Sequence, residues 1–225
     1  MPTAAIITAA GSGKRFGEYK QFKTLGEIPL LFHSVKTFSH IKEIAEIILV
    51  VPKQNVGEIK KVVRCNYKKN KIKLISGGQH RQESVYNGLN AVSEFSNIVS
   101  IHDGARPFVT EGIIRTNISE CKNFDGVVTA IRATDTIKLV EKKIIKNTIE
   151  RDKVWIAQTP QTFNKKKLIK AFSSAKKSNF LGTDESVLME KCGYSIKLIE
   201  GSKHNLKITN QEDWEYAKTM VERSN

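Results

Sequence analysis

The chain has 225 residues, a length that suits one α/β domain spanning residues 1–225, and no stretch in it resembles a linker between modules. Its formal net charge of +14 favours anionic partners such as nucleoside triphosphates, sugar phosphates or nucleic acid, although runs such as Lys68-Lys69-Asn70-Lys71 and Lys165-Lys166-Lys167 read first as solvated faces. Three scattered cysteines, Cys65, Cys121 and Cys192, exclude a disulfide framework and a Cys-x-x-Cys zinc site and fit a reducing cytoplasm. No signal segment and no apolar run long enough for a membrane span are present, so a soluble, cytoplasmic protein is expected.

In chain order, Ala4–Ala9 reads as a buried strand, β-branched at Ile6, Ile7 and Thr8, that stops at Ala9-Ala10-Gly11-Ser12-Gly13. Glycines permit positive φ and leave no Cβ in the way, so successive N–H groups of such a turn can converge on a phosphate oxygen, with Arg15 and Lys20 adding charge. A P-loop is excluded because Lys14 is followed by Arg15 and no hydroxyl is left for magnesium. A dinucleotide fingerprint is excluded too: Gly17 stands one place late, and the second strand, Glu46–Val51, ends in Pro52 rather than an acid. An ordinary turn with solvated basic residues is the bland alternative.

Further strands are expected at Ile72–Ser76, Asn97–His102 and Gly126–Ala130, alternating with helices at Leu30–Phe38, Val56–Cys65, Arg81–Phe95 and Glu111–Phe124. This alternation predicts a Rossmann-like α/β fold with a mainly parallel, twisted sheet flanked by helices. Ligands of such sheets bind beyond the carboxyl ends of the strands. The glycine turn, Gly77-Gly78-Gln79-His80-Arg81 and Asp103-Gly104-Ala105-Arg106-Pro107 should therefore meet at one edge. After Ala130 the alternation breaks. Asp135–Val140 and Ile144–Ile149 flank a charged turn and read as a hairpin, part of a protruding arm over about residues 134–154. A partner subunit is an economical way to cover its apolar residues. Helices at Lys165–Lys176 and Glu185–Cys192, a strand at Ser195–Glu200 and a last helix from about Gln211, with Asn210 as its N-cap, complete the reading.

Eight blocks in order carry a resemblance: Ala9-Ala10-Gly11-Ser12-Gly13-Lys14-Arg15 with Lys20-Gln21-Phe22; Gly77-Gly78 with Arg81 and Glu83-Ser84-Val85; His102-Asp103-Gly104-Ala105-Arg106-Pro107; Asp135-Thr136-Ile137-Lys138; Glu150-Arg151-Asp152-Lys153-Val154-Trp155; Gln158-Thr159-Pro160-Gln161; Thr183-Asp184-Glu185-Ser186; and Asn205-Leu206-Lys207-Ile208-Thr209. Together they resemble the sugar-phosphate cytidylyltransferases of the isoprenoid type, from the first strand to the last helix. The resemblance implies a nucleotidyltransferase that joins CTP to methylerythritol phosphate, a sugar-alcohol phosphate, and releases pyrophosphate with the help of Mg2+ or another divalent cation. It implies catalytic roles for Arg15, Lys20 and Lys207, and CTP binding by Ala9, Ala10, Gly11, Ser12, Gly13, Gly78, Gln79, Arg81 and Ser84. It assigns the acceptor to Arg106, Thr136, Arg151, Thr159 and Thr183, the metal to Asp103, and a homodimer to the arm. The sequence departs from the family at Tyr19, where Pro is usual, and at Gln79, where Asp is common.

The chemistry is consistent with these residue types. One phosphate attacking another brings anions together, so cations from separate loops are needed, whereas an attacking phosphate ionised at neutral pH needs no general base. Asp103 could instead cap its turn toward Pro107. His102 reads as packing or turn support, and Trp155 and Trp214 as core or interface. Two other functions stand beside the main one: a ribitol 5-phosphate cytidylyltransferase, and a basic nucleic-acid-binding protein, for which no RNP, KH or helix-turn-helix signature appears.

Overall fold

The computed structural model describes residues 1–11, 13, 16–67 and 71–223. Strand β1 (Thr3–Thr8) leads through the glycine turn and a 3-10 turn at Lys20–Phe22 to a small ribbon of β2 (Thr24–Leu25) and β3 (Ile28–Pro29). Then come α1 (Leu30–Ser39), β4 (Ile44–Val51), α2 (Val56–Asn66), β5 (Ile72–Ser76), α3 (Arg81–Asn90), β6 (Ile98–Asp103), α4 (Glu111–Glu120) and β7 (Gly126–Arg132). A hairpin of β8 (Lys138–Glu141) and β9 (Ile144–Thr148) follows. The chain returns through β10 (Trp155–Asn164), α5 (Lys165–Lys177), α6 (Glu185–Lys191), β11 (Ile196–Glu200) and α7 (Gln211–Glu222).

Seven strands form one sheet in the order β11-β7-β10-β6-β1-β4-β5. β1 is parallel to β4 and β6, β4 to β5, and β11 to β7, while β10 is antiparallel to both of its neighbours. The mainly parallel α/β expectation holds, and β10 is the exception that the sequence reading does not assign. Pro160 stands in its middle, and Gln158, Thr159, Gln161 and Thr162 occupy places where apolar alternation would mark a strand. They are nonetheless buried, because each has a partner: Gln161 donates to Asp184, Thr162 to Ser100 and Gln158 to the Ser202 carbonyl. Helices α3 and α4 both stop short of their expected ends at Phe95 and Phe124.

The period of two along β1 separates the layers. Ala5 and Ile7 face Leu31, Val35 and Phe38 of α1, Ile59 of α2 and Ile114 and Ile118 of α4. Ile6 faces the other way, with Ile48 and Val50, onto Val85 and Leu89 of α3, Leu168 and Phe172 of α5, and Leu188 and Met189 of α6. Fully burying side chains of this kind stabilises the fold by about 1.5–3 kcal/mol each. Helix α7 starts at a capping box formed by Asn210 and Asp213, and its Trp214 meets Phe16 edge to face at 5.6 Å between ring centroids. That contact lies in a cluster with Leu25, Leu30 and Ile208, which settles Trp214 as core. Trp155 lies against the Arg132 guanidinium at 4.6 Å.

Because only β10 is reversed, the other strands of the sheet bring their carboxyl ends to one edge. The hairpin leaves from that edge after β7. Its turn residues Lys142 and Lys143 both have positive φ, as a two-residue hairpin with the right-handed twist of its strands requires, and every residue of β8 and β9 is exposed. Among the described residues, no helix is long and apolar enough to cross a membrane.

Candidate active site

At the carboxyl edge of the sheet, the loops after β1, β5 and β6 and the segment before α7 wall a cavity of about 540 Å³. The first wall is the glycine turn. Gly13 has a φ of +67°, and a Cβ there would lie 1.8 Å from the Glu18 carbonyl oxygen, so glycine is required on both counts. The amide of Gln21, on the 3-10 turn, donates to the carbonyls of Ala9 at 2.9 Å and Gly11 at 2.8 Å and so fixes the path of the loop. Ala9, Ala10, Gly11 and Gly13 line the cavity, as does Lys20, whose ammonium also reaches the Thr209 carbonyl at 3.4 Å. Ser12 and Arg15 lie outside the described residues. Tyr19, where the family has Pro, accepts a hydrogen bond from Gln54 at 3.0 Å, which ties the loop to the segment after β4.

The second wall follows β5. A Cβ on Gly77 would lie 2.2 Å from the Cβ of Ala10, so this glycine lets the two loops touch. The Gly78 N–H donates to the Ser84 hydroxyl at 3.0 Å, the Gln79 N–H to the Glu83 carboxylate at 2.7 Å, and Ser84 donates onward to the His80 carbonyl. The first turn of α3 thus satisfies the amides of the glycine turn and holds Gly78, Gln79, Arg81 and Ser84 around the cavity.

Asp103, the last residue of β6, is the centre of the site. Its carboxylate meets Lys207 at 2.6 Å and Arg81 Nε at 3.3 Å, and Arg81 Nη1 continues to Glu185 at 2.6 Å. Burial pushes the Asp103 carboxyl up, but Arg81, Lys207 and Arg106 outweigh it and hold the group well below the usual carboxylate range. Burial also raises Glu185, against the opposing pull of Arg81; burial works against the charge of Arg81 in turn, but Glu185 and Asp103 outweigh it and keep the guanidinium protonated.

The backbone of Asp103 is fixed separately. Its N–H donates to the Thr159 hydroxyl at 3.0 Å, and Thr159 is 3.1 Å from His102 Nδ1. His102 Nε2 lies 3.1 Å from the Arg106 carbonyl, which can only accept, so the proton is on Nε2 and Thr159 donates to Nδ1. Burial lowers the imidazole to about 4, which keeps this neutral tautomer. His102 is turn support, in agreement with the sequence reading.

Lys207 is brought to Asp103 by a stitched segment. Arg106 Nη1 donates to the Asn205 carbonyl at 2.7 Å, the Asn205 amide donates to the Thr159 carbonyl at 2.8 Å, and the Ile208 N–H donates to the Ala105 carbonyl. Lys207 therefore hangs between two anchored neighbours. Of the residues assigned to the acceptor, Arg106 and Thr159 lie beneath this part of the site. Arg106 is buried, and its Nε has no hydrogen-bond partner among the described residues. Thr136, Arg151 and Thr183 are exposed and do not line the cavity; Arg151 follows the hairpin and donates to the Thr134 carbonyl. Gln21, Asn205 and Glu185 shape the site without having been assigned a role from sequence. Their signal was present, each being a polar residue within a resembling block.

No group of three or more His, Cys, Asp or Glu among the described residues could hold a metal ion. Among the described residues, Asp103 is the one carboxylate lining the cavity. That donor set does not make a protein-only cage, but it fits magnesium, which is commonly bound through one or two carboxylates together with substrate phosphates and waters.

A family model for 2-C-methyl-D-erythritol 4-phosphate cytidylyltransferase matches residues 3–223. The chain belongs to this family. A relative of that name from Clostridioides difficile (strain 630) is 40% identical, over 97% of this chain and 93% of its own length. Another from Shouchella clausii (strain KSM-K16) is 39% identical over 99% and 98%. Among solved structures, a 4-diphosphocytidyl-2C-methyl-D-erythritol synthase from Anaerococcus prevotii DSM 20548 superposes with a TM-score of 0.89 at 34% identity, covering 98% of both chains. Membership in the cytidylyltransferase family makes the chain a nucleotidyltransferase and agrees with the cavity, whose walls are the segments that carry the resemblance.

Proposed function

We propose that this enzyme joins CTP and 2-C-methyl-D-erythritol 4-phosphate into the CDP-methylerythritol product and releases pyrophosphate, a step of non-mevalonate isoprenoid synthesis. The observation that carries the reading is the meeting of Lys207 and Arg81 on Asp103 inside a cavity walled by two glycine turns. The triphosphate lies against the Ala9–Gly13 turn with Lys20, and the cytosine against Gly78, Gln79 and Ser84. The acceptor phosphate, already ionised, attacks the α-phosphorus without a general base. Lys207, in salt bridge with Asp103, is drawn toward the phosphate as charge builds on its oxygens, an effect that grows in the transition state. Asp103 would hold a magnesium ion, which neutralises phosphate charge when bound.

The acceptor phosphate is held by Arg106 and Arg151, whose planar forks suit a phosphate. The arm supports a homodimer: Leu139, Val140, Ile144 and Ile145 are all more than half exposed, and a second copy of the arm region would cover them and bring Thr136 and Arg151 to a neighbouring site. Three free cysteines suit the cytoplasm, where CTP is made. The test is pyrophosphate release from CTP with methylerythritol phosphate present and absent, and with ribitol 5-phosphate in its place. Release that depends on methylerythritol phosphate supports the reading, and preference for the ribitol acceptor overturns it.

A further inference from the structure

We infer that Glu185 is a positioning residue of the CTP cavity, which acts through Arg81 to keep the guanidinium fork off one oxygen of Asp103. Glu185 is the first residue of α6, far in sequence from Arg81, and is only 1% exposed. Its Oε1 is bound by Arg81 at 2.6 Å, while Oε2 has no partner among the described residues. A carboxylate buried for a single partner is a poor source of stability, since a well-packed apolar side chain of similar volume commonly serves as well or better. Geometry gives it another use.

A guanidinium beside a carboxylate tends to close on both oxygens in a bidentate fork. Here the fork is divided. Glu185 takes Nη1, so Arg81 offers Asp103 only Nε, at 3.3 Å to Oδ1. Oδ2 remains for Lys207 at 2.6 Å. With the charge of Glu185 removed, Arg81 is free to turn its fork onto Asp103, displacing Lys207 and occupying the carboxylate that a nucleotide-bound cation needs. The Arg81 side chain also lines the cavity, so the same rotation would change its shape next to the triphosphate.

The inference rests on the reading of this cavity as the CTP site. It is tested with Glu185→Gln, which keeps size and shape but not charge, Arg81→Gln, and the double variant, in full-length protein. The measurements are pyrophosphate release at varied CTP and magnesium, and calorimetric binding of CTP with divalent cations chelated. Replacing an outer partner of this kind costs about 10–100-fold, so kcat/KM for CTP should fall by that factor in Glu185→Gln, with weaker metal-free CTP binding. The double variant should match Arg81→Gln, because a residue acting only through Arg81 has nothing left to act on. Losses that multiply in the double variant, or an unchanged Glu185→Gln, would overturn the role. If Glu185→Gln does not fold, Arg81→Lys decides with Glu185 intact: one ammonium cannot serve both carboxylates as the fork does, and wild-type kinetics in that variant would sink the inference. A wild-type chain that neither binds CTP nor releases pyrophosphate faults the reading of the cavity instead.

Discussion

At the scale of single residues, Lys207 and Thr159 do different work on Asp103, one on its carboxylate and the other on its backbone. Lys207 stands with its ammonium on Asp103 and its backbone neighbours anchored at Asn205 and Ile208, so its loss removes a charge without loosening the segment. Lys207→Ala is expected to lower kcat by about 10²–10³, the usual effect of removing one preorganised donor, with a smaller change in KM for CTP. A raised KM with unchanged kcat would assign Lys207 to ground-state binding. Thr159 has its hydroxyl committed in both directions, accepting from the Asp103 N–H and donating to His102. Thr159→Val keeps the shape and strands both partners in a buried place, for an expected loss of about 1–3 kcal/mol of stability. Thr159→Ser keeps the hydroxyl. Urea unfolding of the two variants checks this, and equal stability of Val and Ser would mean that the hydroxyl contributes nothing to the brace.

At the scale of elements, the site depends on how closely two turns approach. Gly77 faces the Cβ of Ala10, so Gly77→Ala forces the loop after β5 away from the loop after β1, with the core beneath untouched. A misplacement on the order of 1 Å can cost about 10² in rate. We expect kcat/KM for CTP to fall by about that factor while far-UV circular dichroism stays unchanged, and normal kinetics would show that the turn can yield. This approach was legible in the sequence, because glycines at the carboxyl ends of parallel strands announce where a ligand is admitted. Strand β10 was not legible. Its middle carries Pro160 among buried polar residues, and a strand whose side chains serve hydrogen bonds rather than apolar packing loses the period of two. The anchoring of Asp103 by Thr159 was hidden for the same reason, since the partner comes from the reversed strand of the seven-stranded sheet. The Arg81 to Glu185 pair was equally invisible, as it joins α3 to α6 across the tertiary fold.

At the scale of the whole molecule, the cavity is lined by those residues assigned to CTP that the structure describes, whereas Thr136 and Arg151, assigned to the acceptor, sit on an exposed arm that does not line it. The sequence could announce the hairpin from its alternation and its charged turn, but not what covers it, because a partner surface leaves no period in the chain. If a second copy covers the arm, the active site is shared, with Lys207 from one subunit and Arg151 from the other. Mixing Arg151→Ala subunits with Lys207→Ala subunits should then restore activity: in a mixed dimer one site carries both lesions and the other carries neither. Random exchange at equal amounts makes half the dimers mixed, each with one intact site of two, so about a quarter of wild-type activity is expected for independent sites in a symmetric dimer. The measurement is pyrophosphate release after subunit exchange has been demonstrated with two differently labelled variants. Exchange without recovered activity would place Arg151 in its own subunit's site or outside any site, and the arm would then need another explanation for its exposed Ile144 and Ile145.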